Sequence, residues 1–459
     1  MPQKTRALAE ERAKHPFDDI ETAPLDYLPK AWSEPVGALQ DTVYEAYDLQ
    51  AFRIDGAAVH PTALVQSAAM ASVPPPMPSY RPLLPKSFVA DGHLSAPQLE
   101  SVIYAGNAHE THLKGWFKRG EIEGPLMAAT EGDEAAFRLR KGWFLGDGTG
   151  CGKGRQVAGI ILDNWLQGRR RAVWVSKSDK LIEDARRDWM ALGGRESDIV
   201  PLSKFRQGSD IRLPEGILFV TYATLRSAER DGKASRLDQV TSWLGETFDG
   251  VIAFDESHAM ANAAGEKSDR GDKKASQQGL AGLALQNAVP DARVLYVSAT
   301  GATVVGNLAY ASRLGLWGTG DFPFVTRAEF VAAMEAGGIA AMEMISRDLK
   351  ALGLYLARSL SYAGVEYEML VHELTSAQIA IYDSYADAYQ IIHTNLEAAL
   401  QASGISSETG TLNAQAKSAA RSAFESAKQR FFGHLLTSMK TPTLIASIDA
   451  DLAAGHAAV

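Results

Sequence analysis

Residues Gly146 to Arg155 read GDGTGCGKGR, between a short apolar run, Trp143-Phe144-Leu145, and the helical pattern KGRQVAGIILDNWLQG. Val157, Ile161 and Trp165 recur at helical spacing there, and Gly168 supplies a stop. A strand that turns through closely spaced glycines into a helix is the layout of a phosphate-binding loop. Glycines at Gly148, Gly150, Gly152 and Gly154, with Thr149 and Cys151 between them, let backbone N–H groups turn inward. The helix N-terminus adds partial positive charge, Lys153 reaches the β- and γ-phosphates, and Arg155 follows in the first turn. A glycine-rich turn that merely packs a helix on a sheet is the competing reading. Gly154 stands where a Ser or Thr hydroxyl usually ligates Mg²⁺, a departure expected to cost affinity or rate.

A second acidic group follows about a hundred residues on, where the apolar run GVIAF ends in Asp255-Glu256-Ser257-His258. One carboxylate, Asp255, suits the metal on ATP; its neighbour Glu256 suits the attacking water. A strand end with a helix-capping acid is the bland alternative. His258 is expected against the γ-phosphate end or the Ser298-Ala299-Thr300 triplet, with a merely packed histidine as the rival. Ser298 and Thr300, after RVLYV, are hydroxyls placed to bond the DESH backbone, or else simple strand caps.

Positioning these groups takes a sheet. Apolar runs at 143–145, 171–176, 216–222, 250–254 and 293–297 alternate with helical patterns at 179–192 and 237–244. Such alternation predicts an α/β fold, a parallel sheet with helices on both faces, whose ligands bind at the carboxyl ends of the strands. Upstream, LSAPQLESVIYAGNAHE predicts a helix capped by Ser95, with Gln98 in its first turn. Taken alone, Gln98 reads as a solvated surface amide. Residues 1–80 lack periodicity, although 60–73 fit a short helix, and VPPPMPSYRPLLP is a proline-rich connector. A mobile loop is expected at 262–279, mainly helical structure at 308–362, a strand at 364–374 and a helix at 376–400. A linker at 401–415 and a helical pair at 416–455 complete the expectation. The domain division read from these patterns is 1–90, 91–320, 321–439 and 440–459.

With 459 residues, 46% apolar and 22% charged, the composition is that of a globular protein of two or three domains. No run approaches a membrane span, and the N-terminus lacks the apolar core of a secretory signal. A single cysteine excludes a disulfide framework and suits a reducing, cytoplasmic setting. A net charge of −9 excludes general polyanion binding. Residues 169–212 nevertheless hold eleven Lys/Arg against seven Asp/Glu, a local basic patch for nucleic acid or a set of solvated helix faces.

With the loop, DESH and SAT in this order, the chain resembles a superfamily 2 helicase core, and more closely the strawberry notch family. The resemblance rests on LSAPQLESVIYA, FLGDGTGCGKGRQVAGII, DESHAMAN and VPDARVLYVSATGA, and extends through NLAYASRLGLWG, residues 341–368 and KQRFFGHLL. It covers roughly residues 55–459. A glycine after the loop lysine is also what that family's loop looks like, while relatives often carry Cys or Ala where Ser257 stands. The resemblance implies a P-loop (RecA-like) first motor domain that binds ATP and Mg²⁺, with Gln98 near the adenine and Asp255 on the metal. Glu256, Asp255 and Lys153 would be catalytic; His258, Ser298 and Thr300 would couple nucleotide state. It also implies a nucleic-acid partner, DNA ahead of RNA, possible protein partners and no membrane. The alanine-rich style suits the family's bacterial branch, plasmid or phage products among them. Such motors close their ATP site between two domains, and residues 440–459 are expected to open the second. A nucleotide-binding interaction module without turnover is the alternative from a different class.

Overall fold

The computed structural model describes residues 14–33, 43–119, 126–229, 234–261, 263, 276–300, 308–318, 321–366, 368–402 and 414–456. It divides the chain into two units, Met1–Tyr362 and Ala363–Val459.

Seven parallel strands form the sheet of the first unit. They are β1 (Trp143–Leu145), β2 (Arg171–Ser176), β3 (Ile199–Pro201), β4 (Gly216–Thr221), β5 (Val251–Asp255), β6 (Arg293–Val297) and β7 (Tyr355–Leu356). Their order is β3-β4-β2-β5-β6-β1-β7. Strands such as Val251–Phe254 and Arg293–Val297 are buried along their length, because helices cover both faces and β-branched and aromatic residues fill both. On one face lie α1 (Ala96–His109), α2 (Lys153–Leu166) and α3 (Ile182–Met190), packed side by side. The other is covered by α4 (Arg236–Leu244), α5 (Gln277–Ala288) and the short helix Tyr222–Leu225. After β1 the chain crosses to β2 and returns later to β6, so a switch point lies beside the loop that follows β1.

Register sets one row across the carboxyl edge. Asp255 is level with Val297, Val297 with Leu145, and Leu145 with Leu356, while Phe254 is level with Val175 on β2. Parallel neighbours lie about 4.8 Å apart, so Asp255 and the start of the glycine loop stand roughly two strand spacings apart.

The five expected strands are present, and β3 and β7 are additions. At three and two residues, neither carries a readable pattern. Residues 60–73 hold a strand, Leu64–Ser67, as well as the short helix Ala68–Ala71. The N-terminal part is built from strands of two to four residues: Thr22–Pro24 pairs with Leu83–Pro85, and Leu64–Ser67 with both Tyr44–Ala46 and Ser359–Leu360. The proline-rich connector is held extended by Tyr27 and Tyr104, whose hydroxyls donate to the Pro78, Tyr80 and Pro76 carbonyls. After 308 the structure is helical in α6 (Arg327–Ala351), which kinks at Gly338.

In the second unit the expected strand at 364–374 is not formed among the described residues; the segment is irregular and largely exposed. Its apolar positions Val365, Met369, Leu370 and Val371 are all exposed, and alternation without a neighbouring strand leaves the ladder unpaired. Two helices follow, α7 (Ser376–Ala402) and α8 (Ala414–Ala453). The expected helical pair at 416–455 is this single helix, with Pro442 inside it. Tyr389 packs on Phe424, Phe431 and Phe432 and holds the two together. Residues 262, 264–275 of the expected mobile loop and 403–413 of the expected linker lie outside the described residues.

Candidate functional site

Lys153 begins α2 directly after Gly152, whose φ of +75° is the left-handed conformation glycine adopts without cost. A Cβ at Gly152 would also lie 2.4 Å from Gln98 Nε2, so the loop and the amide are in contact. The Lys153 ammonium arches back and donates to the Gly148 carbonyl at 3.1 Å. Gln98 is half-buried rather than solvated: its Oε1 accepts from the Ser95 N–H (3.0 Å) and hydroxyl (3.1 Å), and its Nε2 donates to the Cys151 carbonyl (3.4 Å). Gln98 thereby caps α1 and steadies the loop. Thr149 and Gly150 lie exposed on the loop, and Cys151 is buried, its thiol pushed up to about 11 by burial.

Beneath the loop lies a pair the sequence reading missed. Asp147 and Arg358 are both buried. Arg358 Nε donates to Asp147 Oδ1 at 3.0 Å and its Nη2 to Oδ2 at 2.8 Å, a two-pronged ion pair. The same guanidinium donates to Ser101 (2.7 Å), Gln156 (2.9 Å), Glu100 (3.2 Å) and the Pro97 carbonyl. The Arg358 backbone joins in, since its N–H donates to Asp147 and its carbonyl accepts from Gly148 N–H at 2.6 Å. Burial pulls the guanidinium down, but Asp147, Tyr47 and Glu100 more than offset that and leave it raised. The available signal was Asp147 itself: a carboxylate between a buried strand and a glycine loop needs a cation.

At the next strand ends, Asp255 Oδ2 accepts from Ser176 at 3.2 Å and Trp174 at 3.5 Å. Burial, reinforced by Glu256, pushes Asp255 up to about 6. Glu256 has φ +50° and ψ +44°; among the described residues it alone is a non-glycine with positive φ. Strain of this kind costs about 1–3 kcal/mol and persists where surroundings enforce it. Here they do: Tyr222 donates to the Asp255 carbonyl at 2.9 Å, and Ser257 is buried against the Tyr310 hydroxyl at 2.8 Å. His258 Nδ1 lies 3.2 Å from both Glu256 Oε2 and Ser298 Oγ. Ser298 therefore meets the His258 ring rather than the DESH backbone. It also receives the Thr300 N–H at 3.2 Å, and its own N–H donates to Leu145, the last residue before the loop, at 3.0 Å. The loop, DESH and SAT are thus joined by one chain of hydrogen bonds.

Gly154 has a physical explanation. A Cβ there would lie 2.2 Å from Asp188 Oδ2 on α3. Arg155 turns aside to the same carboxylate, its Nε 3.3 Å from Oδ1. Of the basic stretch, Arg170 pairs with Asp18 and Glu215, Arg186 with Glu183 and Glu196, and Arg187 with Asp184. Lys177, Lys180, Lys204, Arg206 and Arg212 are exposed and carry no ion pair among the described residues. Lys177 directly follows β2, on the same edge as Asp255.

This donor set fits a nucleotide with a hard divalent cation: a glycine cradle, one ammonium and an oxygen-donating carboxylate. Residues 59–384 match the family model described as P-loop containing NTP hydrolase pore-1. The chain belongs to that family. Curated relatives include the strawberry notch homolog 1 of Homo sapiens, 36% identical over 393 residues (84% of this chain, 26% of that protein). Protein FORGETTER 1 of Arabidopsis thaliana is 34% identical over 390 residues (84% and 27%). Strawberry notch of Drosophila melanogaster is 36% identical over 389 (83% and 22%). The chain thus spans about a quarter of the length of these relatives. Among solved structures, the Sulfolobus solfataricus SWI2/SNF2 ATPase core in complex with dsDNA aligns over 56% of this chain and 49% of that one, with 16% identity and a TM-score of 0.34. No helix among the described residues is long and apolar enough to cross a membrane.

Proposed function

We propose that this chain is the ATP-binding first motor domain of a helicase-like, strawberry notch-type ATPase acting on nucleic acid, with DNA as the favoured polymer. The observation that carries the reading is the row Asp255–Val297–Leu145, which sets the glycine loop, the DESH tetrad and the SAT triplet on one sheet edge. Lys153 would leave the Gly148 carbonyl for the β- and γ-phosphates, and Asp255 would hold Mg²⁺. The cation, when bound, neutralises charge on the transferring phosphoryl group. Glu256 is the acceptor for the attacking water, and His258 carries its position to Ser298. The exposed cations Lys177, Lys180 and Lys204 offer phosphate contacts near that edge.

A second reading, a nucleotide-binding module without turnover of its own, is favoured by Arg155 and Arg358, both committed to carboxylates. The test of the first step serves both readings. A charge-assisted phosphate contact contributes about 1.5–3 kcal/mol, so Lys153→Ala is expected to weaken ATP–Mg²⁺ binding roughly ten- to a hundredfold by calorimetry. Equal affinity in the variant would remove Lys153 from the site.

A further inference from the structure

Resting on that nucleotide-binding reading, we propose that Asp188 is the oxygen donor to the hydrated divalent cation which the residue after the loop lysine would otherwise be. In phosphate-binding loops the hydroxyl at that position lies one bond beyond Cβ and faces the metal. Here position 154 has no side chain, and the space its Cβ would fill lies 2.2 Å from Asp188 Oδ2. The carboxylate, carried in from α3, occupies the volume of the missing side chain. Its two oxygens are differently employed. Oδ1 faces Arg155 Nε at 3.3 Å, an anchor of the kind that orients ligating carboxylates. Oδ2 faces Gly154, with Arg187 Nη2 at 3.8 Å as its other neighbour, and Arg187 is mostly exposed. The Asp188 side chain is only 13% exposed, so its direction is set by packing. Such a donor accounts for the glycine at 154: a hydroxyl and this carboxylate compete for one space. The two would be alternatives and could not coexist.

The test is a swap, read by binding and independent of turnover. ATP affinity of the whole chain is measured by calorimetry with Mg²⁺ and with EDTA, and Mn²⁺ in the complex is followed by electron paramagnetic resonance. The ratio of the two affinities reports the cation. Asp188→Ala is expected to lower that ratio about 10–100-fold, the usual effect of disturbing a metal's supporting shell, while binding in EDTA is kept. Asp188→Asn, which preserves shape and the contact with Arg155, should lose the same enhancement. Gly154→Ser alone should also lose it, because the added atoms displace the carboxylate. The double variant Gly154→Ser with Asp188→Ala should recover it, since the hydroxyl then has both room and the role. An unchanged Mg²⁺ ratio and Mn²⁺ spectrum in Asp188→Ala and Asp188→Asn would overturn the inference. Failure of the wild-type chain to bind ATP under either condition would overturn the nucleotide reading, and this inference with it.

Discussion

At the scale of single residues, Arg358 shows how a charge can be buried beneath a loop that must itself stay mobile enough to take a ligand. Its partners come from three places in sequence: Glu100 and Ser101 on α1, Asp147 in the loop and Gln156 on α2. A buried ion pair gains little over a well-packed apolar replacement, but removing one member strands the other at a cost of about 3–5 kcal/mol. Glu100 adds to the hazard. Burial raises its carboxyl despite Arg358 and Tyr47, and its Oε1 has no hydrogen-bond partner among the described residues. Arg358→Met is therefore expected to lose several kcal/mol in denaturant unfolding and to weaken ATP binding, because Asp147 and Gly148 lose their shared anchor. Arg358→Lys keeps the charge but not the fork, and should fall between the two. A stable Arg358→Met chain with wild-type ATP affinity would show that the pair is ornamental. Arg358 was invisible in the sequence because nothing local marks it, 211 positions from Asp147.

At the scale of elements, α2 both carries Lys153 at its start and fixes the proline-rich connector near its end. Asp163 is buried on that helix and accepts from Tyr80 (2.6 Å), Leu83 N–H (2.7 Å) and Gln167 (2.7 Å). Burial nevertheless pushes its carboxyl up to about 6, against an ordinary value of 3.8. The sign follows. Unfolded chains release this proton near pH 4 and folded ones near 6, so the folded state binds more protons between those values and loses stability as pH rises. Asp163→Asn has no such proton to lose. Its stability relative to wild type should rise by on the order of 2–3 kcal/mol between pH 4 and pH 7, as followed by thermal or urea unfolding. A flat difference across that window would place the Asp163 proton elsewhere. Elements of this kind also mark where the sequence was readable. Residues 251–254 and 294–297 announce themselves as unbroken apolar runs, and α1 through Ser95 and the stripe Leu99, Val102 and Ile103. Tyr355–Leu356 does not, because a two-residue strand is defined by the edge of β1 it joins rather than by its own composition. Residues 364–374 mislead in the opposite direction, with strand-like alternation but no pairing among the described residues. Within the site, the motif residues were legible because their spacing encodes chemistry. Asp188, Ser176 and Tyr222 were not, because only the packing of α3 and the register of β2 and β4 bring them near.

At the scale of the whole molecule, the loop's arginines bear on whether a nucleotide is only held or also turned over. Charge that builds on a transferring phosphoryl group needs a cation beyond the loop lysine, and an arginine finger contributes about 10³–10⁵ in rate. Both arginines set against the loop are committed. Arg155 faces Asp188, and Arg358 is enclosed by Asp147, Glu100, Ser101 and Gln156. Glu256 has a strained backbone and its carboxylate on His258, yet an acceptor proposed for the attacking water does not itself supply a cation to the phosphoryl group. The curated relatives are about three times as long, and a finger supplied from elsewhere in such a protein would fit this arrangement. The chain on its own is therefore expected to bind ATP but to hydrolyse it near background, with little stimulation by double-stranded DNA. Whatever residual turnover exists should vanish in Glu256→Gln while nucleotide binding persists, since the partner proposed for that side chain is water. Steady-state phosphate release, measured on chain shown to be monomeric by light scattering, checks this. Turnover of order one per second, within the ordinary enzyme range, would mean that this chain carries its own finger.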